Sequence, residues 1–127
     1  MLLEEALRVR LTTSNTSAQE RIFPMRMPQD KSLEFPLIVY QRISAPRMYA
    51  HDGDAKLPYI RTQWSGWGKS YDEVVALMEE VKIAFSGYTN EAEGIQSCFL
   101  AFEFEDWDEQ SGLFRRMVDT LVGYKGN

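Results

Sequence analysis

The feature that most constrains the fold is a helix signal in the middle of the chain. The sequence SYDEVVALMEEVKIAF begins with Ser70, a residue type that commonly caps helices, and Glu73 follows at the spacing of a capping box. Apolar residues then recur at helical spacing until Gly87, a typical helix-ending residue. We therefore predict a helix over residues 71–85. The apolar stripe of this helix is predicted to comprise Tyr71, Val74, Val75, Met78, Val81 and Phe85.

Strand signals lie on both sides of this helix. Four segments are rich in β-branched and aromatic residues and are bounded by turn-forming residues. The predicted strands are residues 37–44, 59–67, 95–104 and 113–124. A long connection at 45–58 separates the first two, and a turn at 106–112 separates the last two. The chain is therefore predicted to contain two strand pairs, one before and one after the helix.

The remaining segments complete the predicted order. Residues 2–12 place apolar side chains at helical spacing and predict a first helix. Residues 21–36 contain three prolines, which exclude a regular helix or a central strand and predict an extended connection. The order α-β-β-α-β-β indicates one α+β domain over residues 1–127. We expect a mainly antiparallel four-stranded sheet with the helices packed on one face.

The helices would leave the other face of this sheet open. In the strand 37–44, alternation places Leu37, Val39 and Ile43 on one face, which we expect to be the helix-covered one. The side chains expected on the open face are Ile38, Tyr40, Arg42, Tyr59, Arg61, Gln63 and Trp67. Tyr, Trp and Arg are enriched in protein interfaces, so the open face is either a solvated surface or a subunit contact.

Composition excludes several classes of function. The net charge of −5 disfavours a broad basic surface for nucleic acid. A single histidine and a single cysteine, His51 and Cys98, leave no His/Cys metal cluster and no intrachain disulfide. No apolar run is long enough to span a membrane. With no nucleophile–base pair in evidence, we expect neither catalysis nor a cofactor.

The run EFEDWDE at 103–109 contains five acidic residues in seven positions. It is interpreted either as a solvated acidic turn or as an acidic patch that repels a polyanion. In the second interpretation the run would line a channel through which DNA slides. The residues predicted to face such a lumen are Glu105, Asp106, Asp108 and Glu109.

Five segments follow one another in a characteristic order. They are RIFPMRMPQ, FPLIVYQRIS, a tryptophan-bearing strand, the capped helix YDEVVALMEEVKIAF, and SGLFRRMVDTLV. This arrangement resembles the tail terminator, or tail completion, proteins of long-tailed bacteriophages, prophages and gene transfer agents. The resemblance covers roughly residues 3–124 and depends on the arrangement, because no single motif is diagnostic.

The resemblance implies a structural role in the virion. Such proteins form a six-membered ring at the head-proximal end of the tail, stop tube polymerisation and provide the joint to the head. The expected partners are other copies of the chain, the tail tube protein and the head–tail connector or stopper protein. DNA is expected only as passing cargo, and no membrane, cofactor or catalytic residue is implied. Assembly is expected in the host cytoplasm.

A ring requires two different contact patches on each subunit, because its contacts run head to tail. The 45–58 connection is long enough to be a functional loop or a segment that is disordered before assembly, and the two alternatives are compatible if it orders on binding. We expect it to contact a neighbouring subunit or the tail tube. The candidate interface residues are Tyr40, Arg42, Arg47, Met48, Tyr49, Asp52, Asp54, Lys56, Tyr59, Arg61 and Trp67.

Two other hypotheses remain at this point. One is a head-completion or stopper protein at the head–tail interface, which would share the small size and the ring-forming habit. The other belongs to a different class, a small hydrolase or metal-binding enzyme. Its acidic site would use Glu103, Glu105, Asp106 and Asp108.

Overall fold

Two helices and five strands make up the fold in a computed structural model, which describes residues 3–27, 33–44 and 59–125. The helices are α1 (Leu3–Thr13) and α2 (Tyr71–Phe85). The strands are β1 (Ile22–Pro24), β2 (Leu37–Ser44), β3 (Tyr59–Gly68), β4 (Ile95–Asp108) and β5 (Leu113–Tyr124). A short 3₁₀ helix, Glu91–Glu93, precedes β4. The predicted α+β class is confirmed.

The strands form one mixed sheet in the order β1-β2-β3-β5-β4. β1 pairs with β2 in parallel, and the other neighbours are antiparallel. The prediction of four strands is therefore corrected to five, and the predicted extended connection at 21–36 contains the additional strand. Pro24, the last residue of β1, is compatible with this position, because β1 has only three residues and lies at an edge of the sheet.

Both helices pack on the same face of the sheet. Leu3, Leu7 and Leu11 of α1 belong to the same buried cluster as the inward side chains of α2. Trp64 of β3 lies in that cluster, with its ring centroid 5.0 Å from that of Tyr40 and 4.9 Å from that of Phe85. The sheet thus has a helix-covered face and a second face, which is called the open face below.

The face assignment predicted for β2 is wrong. Ile38 and Tyr40 lie in the core cluster beneath the helices, whereas Leu37 and Val39 lie on the open face and Ile43 is exposed. The first half of β2 is apolar at successive positions, so its alternation could not indicate which side the helices cover. Pairing with β3 determines the choice, since Tyr40 is the partner of Trp64.

One of the two hydrogen bonds of the capping box predicted for α2 is present. Ser70 Oγ accepts a hydrogen bond from the backbone N–H of Glu73 at 3.2 Å. In a capping box the Glu73 carboxylate would accept from the N–H of Ser70. Here it accepts from the N–H of Lys69, one residue earlier, at 3.1 Å. Gly87 follows the helix in the left-handed region, with φ of 71°. The buried residues of α2 are Val74, Leu77, Met78, Val81, Ala84 and Phe85.

Ser70→Ala is expected to lower the free energy of unfolding by about 1 kcal/mol, because the N–H of Glu73 loses its acceptor. Urea denaturation followed by circular dichroism measures the change. Ser70→Asp is the matched control and is expected to stay within a few tenths of a kcal/mol of the parent, because Asp caps helices as well as Ser does. Equal destabilisation by both substitutions would contradict the capping role.

Candidate interaction surface

The candidate site is the open face of the sheet. On β3, β5 and β4, paired residues form four rows of side chains that run across the three strands. Strand register places the side chains of every second residue on this face. The open-face residues are Arg61, Gln63, Ser65 and Trp67 of β3, Arg115, Met117, Asp119 and Leu121 of β5, and Phe99, Phe102, Phe104 and Asp106 of β4. Polar groups concentrate on β3 and β5, and aromatic rings on β4.

Two ion pairs neutralise the guanidinium groups of this face. Arg61 Nε donates to Asp119 Oδ2 at 2.7 Å, and the Asp119 carboxylate is buried. Arg115 makes two parallel hydrogen bonds to Asp106, of 3.0 Å and 2.5 Å. The Arg115 guanidinium also lies 5.2 Å from the centroid of the Trp67 ring, a distance suited to a cation–π contact. The charges are therefore held in fixed, matched positions.

Three phenylalanines of β4, Phe99, Phe102 and Phe104, form an exposed row on the open face. We call them the phenylalanine row. Phe99 and Phe102 are three residues apart and would point in opposite directions in a regular strand. A register shift between Leu100 and Phe102 inserts one extra residue and restores them to the same face. Leu100 can therefore pack against the core while both aromatic rings face outward.

The structure divides the predicted interface residues between the two faces. Tyr59, Arg61 and Trp67 lie on the open face, as the sequence predicted. Tyr40 and Arg42 lie on the helix-covered face. Burial raises the pKa of the Tyr40 phenol, and the Arg42 guanidinium pairs with the carboxylate of Glu4 in α1. These last two residues therefore hold β2 against the core rather than facing outward on the open face.

The predicted loop residues fall outside the described part of the chain. They are Arg47, Met48, Tyr49, Asp52, Asp54 and Lys56. Their role as contacts to a neighbouring subunit or the tail tube stays a prediction.

The acidic run does not form one carboxylate cluster. Glu105 and Asp106 lie on opposite faces of β4, because adjacent residues of a strand alternate. Glu105 accepts a hydrogen bond from Tyr71 Oη at 3.1 Å, which raises the pKa of that phenol, and Asp106 pairs with Arg115. Glu103 pairs with Lys82 of α2 at 2.8 Å. The four carboxylates of the predicted hydrolase site are therefore not brought together.

The last two acidic positions lie at the end of β4 and in the turn after it. Asp108 accepts from Ser111 Oγ at 2.7 Å, and this hydrogen bond is the main cause of a lowered pKa. Glu109 is exposed in the turn that follows. Among residues 3–27, 33–44 and 59–125, no group of three or more His, Cys, Asp or Glu side chains is placed to hold a metal ion. No helix within these ranges is long and apolar enough to cross a membrane.

Cys98 is buried in the core, and burial raises the pKa of its thiol to about 12. At pH 8 about one molecule in ten thousand would carry the reactive thiolate. We therefore expect iodoacetamide to leave Cys98 unmodified in the folded protein and to alkylate it in urea at the same pH. Mass spectrometry measures the added group. Rapid alkylation of the folded protein would contradict the burial of this side chain.

Sequence reasoning missed the phenylalanine row and Arg115. The pattern FEFE at 102–105 alternates aromatic and acidic residues, which indicates a strand with one aromatic face. That signal was available from the sequence. The position of Phe99 on the same face was not, since it depends on the bulge in β4.

Comparison with known proteins shows similarity in structure but not in sequence. No protein-family model matches this chain, and no curated protein is similar to it in sequence. Among solved structures, a chain described as "Virion of native gene transfer agent (GTA) particle" matches with a TM-score of 0.68 and 12% sequence identity. The match covers 98% of this chain and 95% of the other. At this identity, the likeness establishes a shared fold.

Proposed function

We propose that this chain is a structural protein of a phage-like virion and acts as a ring-forming tail terminator. The observation that carries the proposal is the shared fold with a chain of a gene transfer agent virion, which extends over nearly the whole length of both chains. The resemblance of the segment order to tail terminator proteins supports the same role. The proposed partners are other copies of this chain, the tail tube protein and the head–tail connector.

The proposed mechanism is capping without catalysis. Copies of the chain close into a ring, which we propose to be a hexamer, on the head-proximal end of the tail tube. One side of the ring binds the last tube ring, and the other side does not accept a further tube subunit and instead binds the head connector. No cofactor takes part, and DNA passes through the centre of the ring.

The open face supports a role in assembly better than a role in chemistry. Its carboxylates are engaged by guanidinium groups, as in the pairs Arg61–Asp119 and Arg115–Asp106. Its exposed aromatic rings are of a residue type enriched at protein interfaces. A face with paired charges and exposed aromatic rings is suited to binding another protein.

Electron microscopy of particles from a virus that lacks this gene tests the proposal. We expect overlong tails without heads, because nothing would stop tube growth or join the tube to the head. Supplying the gene in trans should restore normal tails and serves as the control. Normal tails attached to filled heads would contradict the proposal. Normal-length tails that fail to join heads would instead indicate a head-completion or stopper protein.

A further inference from the structure

Several large apolar side chains are exposed along β4, an outer strand of the sheet. Phe99, Phe102 and Phe104 are 55%, 51% and 46% exposed. Ile83 of α2, which is 77% exposed, lines a groove with Leu100 and Phe102, so the apolar surface continues around the edge of the sheet. Contiguous exposed apolar surface of this kind marks sites of protein interaction more often than single exposed side chains do.

Two further exposed apolar side chains lie towards the opposite edge of the sheet. Met25, directly after β1, is 69% exposed, and Ile43 of β2 is 45% exposed. The backbone N–H of Met25 donates to the carbonyl oxygen of Tyr40 at 2.8 Å, which fixes Met25 beside β2. We call Met25 and Ile43 the edge patch. Since β1 and β4 are the two outer strands, the edge patch and the phenylalanine row lie on opposite sides of the molecule.

This placement suits contact between copies of the same chain. When two different patches lie on opposite sides of a subunit, each copy can present one patch to its predecessor and the other to its successor. Such a head-to-tail contact gives a closed ring when the rotation between successive copies adds up to a full turn, and an open filament otherwise. If a patch instead bound the same patch on a second copy, association would stop at a dimer.

Side chains rather than a continuous sheet would make this contact. β4 has 14 residues, and Asn90 and Gly87 bond to the start of its outer edge, at Ile95 and Cys98. β1 has only three residues, one of which is Pro24. Proline has no backbone N–H to donate, so β1 cannot extend the sheet of a neighbour along the length of β4. Among residues 3–27, 33–44 and 59–125, the exposed apolar side chains at the two edges can pack against one another.

The charges on the open face permit close approach of another protein. Arg61 and Arg115 are already paired with Asp119 and Asp106, so an approaching surface need not supply counter-charges to them. Burying an unpaired charge would be costly, whereas a paired and hydrogen-bonded charge tolerates burial better. The paired guanidinium groups and the net charge of −5 do not favour a polyanionic partner.

We propose that the phenylalanine row of one copy packs against the edge patch of a second copy, head to tail. This inference rests on the proposed function, because it identifies the contact by which the ring closes. It also names a surface different from the one that the sequence suggested, since the aromatic residues on β4 replace Tyr40 and Arg42 of β2.

Sedimentation equilibrium of the full chain over a range of concentrations tests the contact. Phe102→Lys is expected to weaken self-association by about 30-fold or more, the effect of removing a central interface residue. Met25→Glu, on the other patch, is expected to do the same. Val9→Lys is the matched control, because Val9 is an exposed apolar residue on α1 outside both patches. Circular dichroism checks that each variant is folded, and Ile43→Glu replaces Met25→Glu if the latter is not.

Mixing the two variants distinguishes a head-to-tail contact from a symmetric one. In the mixture, the intact phenylalanine row of Met25→Glu can bind the intact edge patch of Phe102→Lys. We therefore expect the two monomeric variants to form heterodimers when mixed, because each pair has one intact contact and a substituted surface at both free ends. Wild-type-like assembly of either variant alone, no assembly in the mixture, or a wild-type protein that stays monomeric at every concentration would overturn the proposal.

Failure of this inference is separable from failure of the proposed function. If the chain associates through another surface, both variants assemble normally, while loss of the gene still produces overlong tails. If the chain does not terminate tails, loss of the gene leaves tail length normal regardless of how the copies associate.

Discussion

Trp64→Ala is expected to lower the free energy of unfolding by about 3–5 kcal/mol. Trp64 is fully buried between the Tyr40 and Phe85 rings, so truncation opens a cavity where β2, β3 and α2 meet. A loss of this size is a large fraction of the stability of a typical domain, about 5–15 kcal/mol. Urea denaturation at equilibrium measures it.

The Trp64 indole also takes part in a buried hydrogen-bond chain. Trp64 Nε1 donates to Thr120 Oγ1 at 3.0 Å, and that hydroxyl donates to the carbonyl oxygen of Thr62 at 3.4 Å. Trp64→Phe keeps an aromatic ring but removes the first donor, so we expect a smaller loss, about 1–2 kcal/mol. Trp64→Ala should therefore cost distinctly more than Trp64→Phe.

Trp67→Ala is the matched control for the truncation of Trp64. Trp67 lies three residues further along β3 but on the open face, where its ring contacts the Arg115 guanidinium. Its truncation removes a partly exposed ring and leaves no closed cavity in the core. A greater loss of stability for Trp67→Ala than for Trp64→Ala would contradict the assignment of the two faces of β3.

Elements with local signals were predicted well from the sequence. The helix predicted over residues 71–85 coincides with α2, because the Ser70 cap, the apolar periodicity and Gly87 each act within a few residues. β2 also has the bounds predicted from its apolar run. β3 places Ile60, Thr62 and Trp64 on the core side because its alternation is regular.

Features that depend on distant partners were not predicted. β1 consists of three residues, and its identity as a strand depends on the parallel register with Ile38, Val39 and Tyr40 of β2. The end of β4 was predicted to belong to a turn at 106–112. Asp106 and Trp107 nevertheless continue the strand, because they pair with Arg115 and Phe114 of β5.

Only part of the candidate surface could be predicted from the sequence, because the rest also depends on strand pairing. Arg61 and Trp67 were placed on the open face by simple alternation along β3. The ring of Phe99 and the rings of Phe102 and Phe104 share that face only because β4 contains a bulge. A bulge is a property of strand pairing, so the composition of β4 alone could not locate it.

Gly66→Ala is expected to destabilise the protein by about 1–3 kcal/mol, the usual cost of overpacking a core. Gly66 lies on the helix-covered face of β3, directly beneath α2. A β-carbon at this position would lie 2.5 Å from Met78 Sδ and 3.0 Å from Leu77 Cδ2. The first distance is too short for nonbonded atoms and the second is tight, so the Met78 side chain would have to move and Leu77 would have to give slightly.

A double-mutant cycle with Met78→Ala identifies the contact that causes this loss. Met78→Ala alone should destabilise the protein by about 2–5 kcal/mol, because it leaves a cavity beneath α2. In the double variant the new methyl group of residue 66 occupies part of that cavity. The two losses should therefore sum to more than the loss measured for the double variant, with a coupling of about 0.5–3 kcal/mol. Additive losses would show that the close approach of α2 to β3 at Gly66 does not limit the packing of this core.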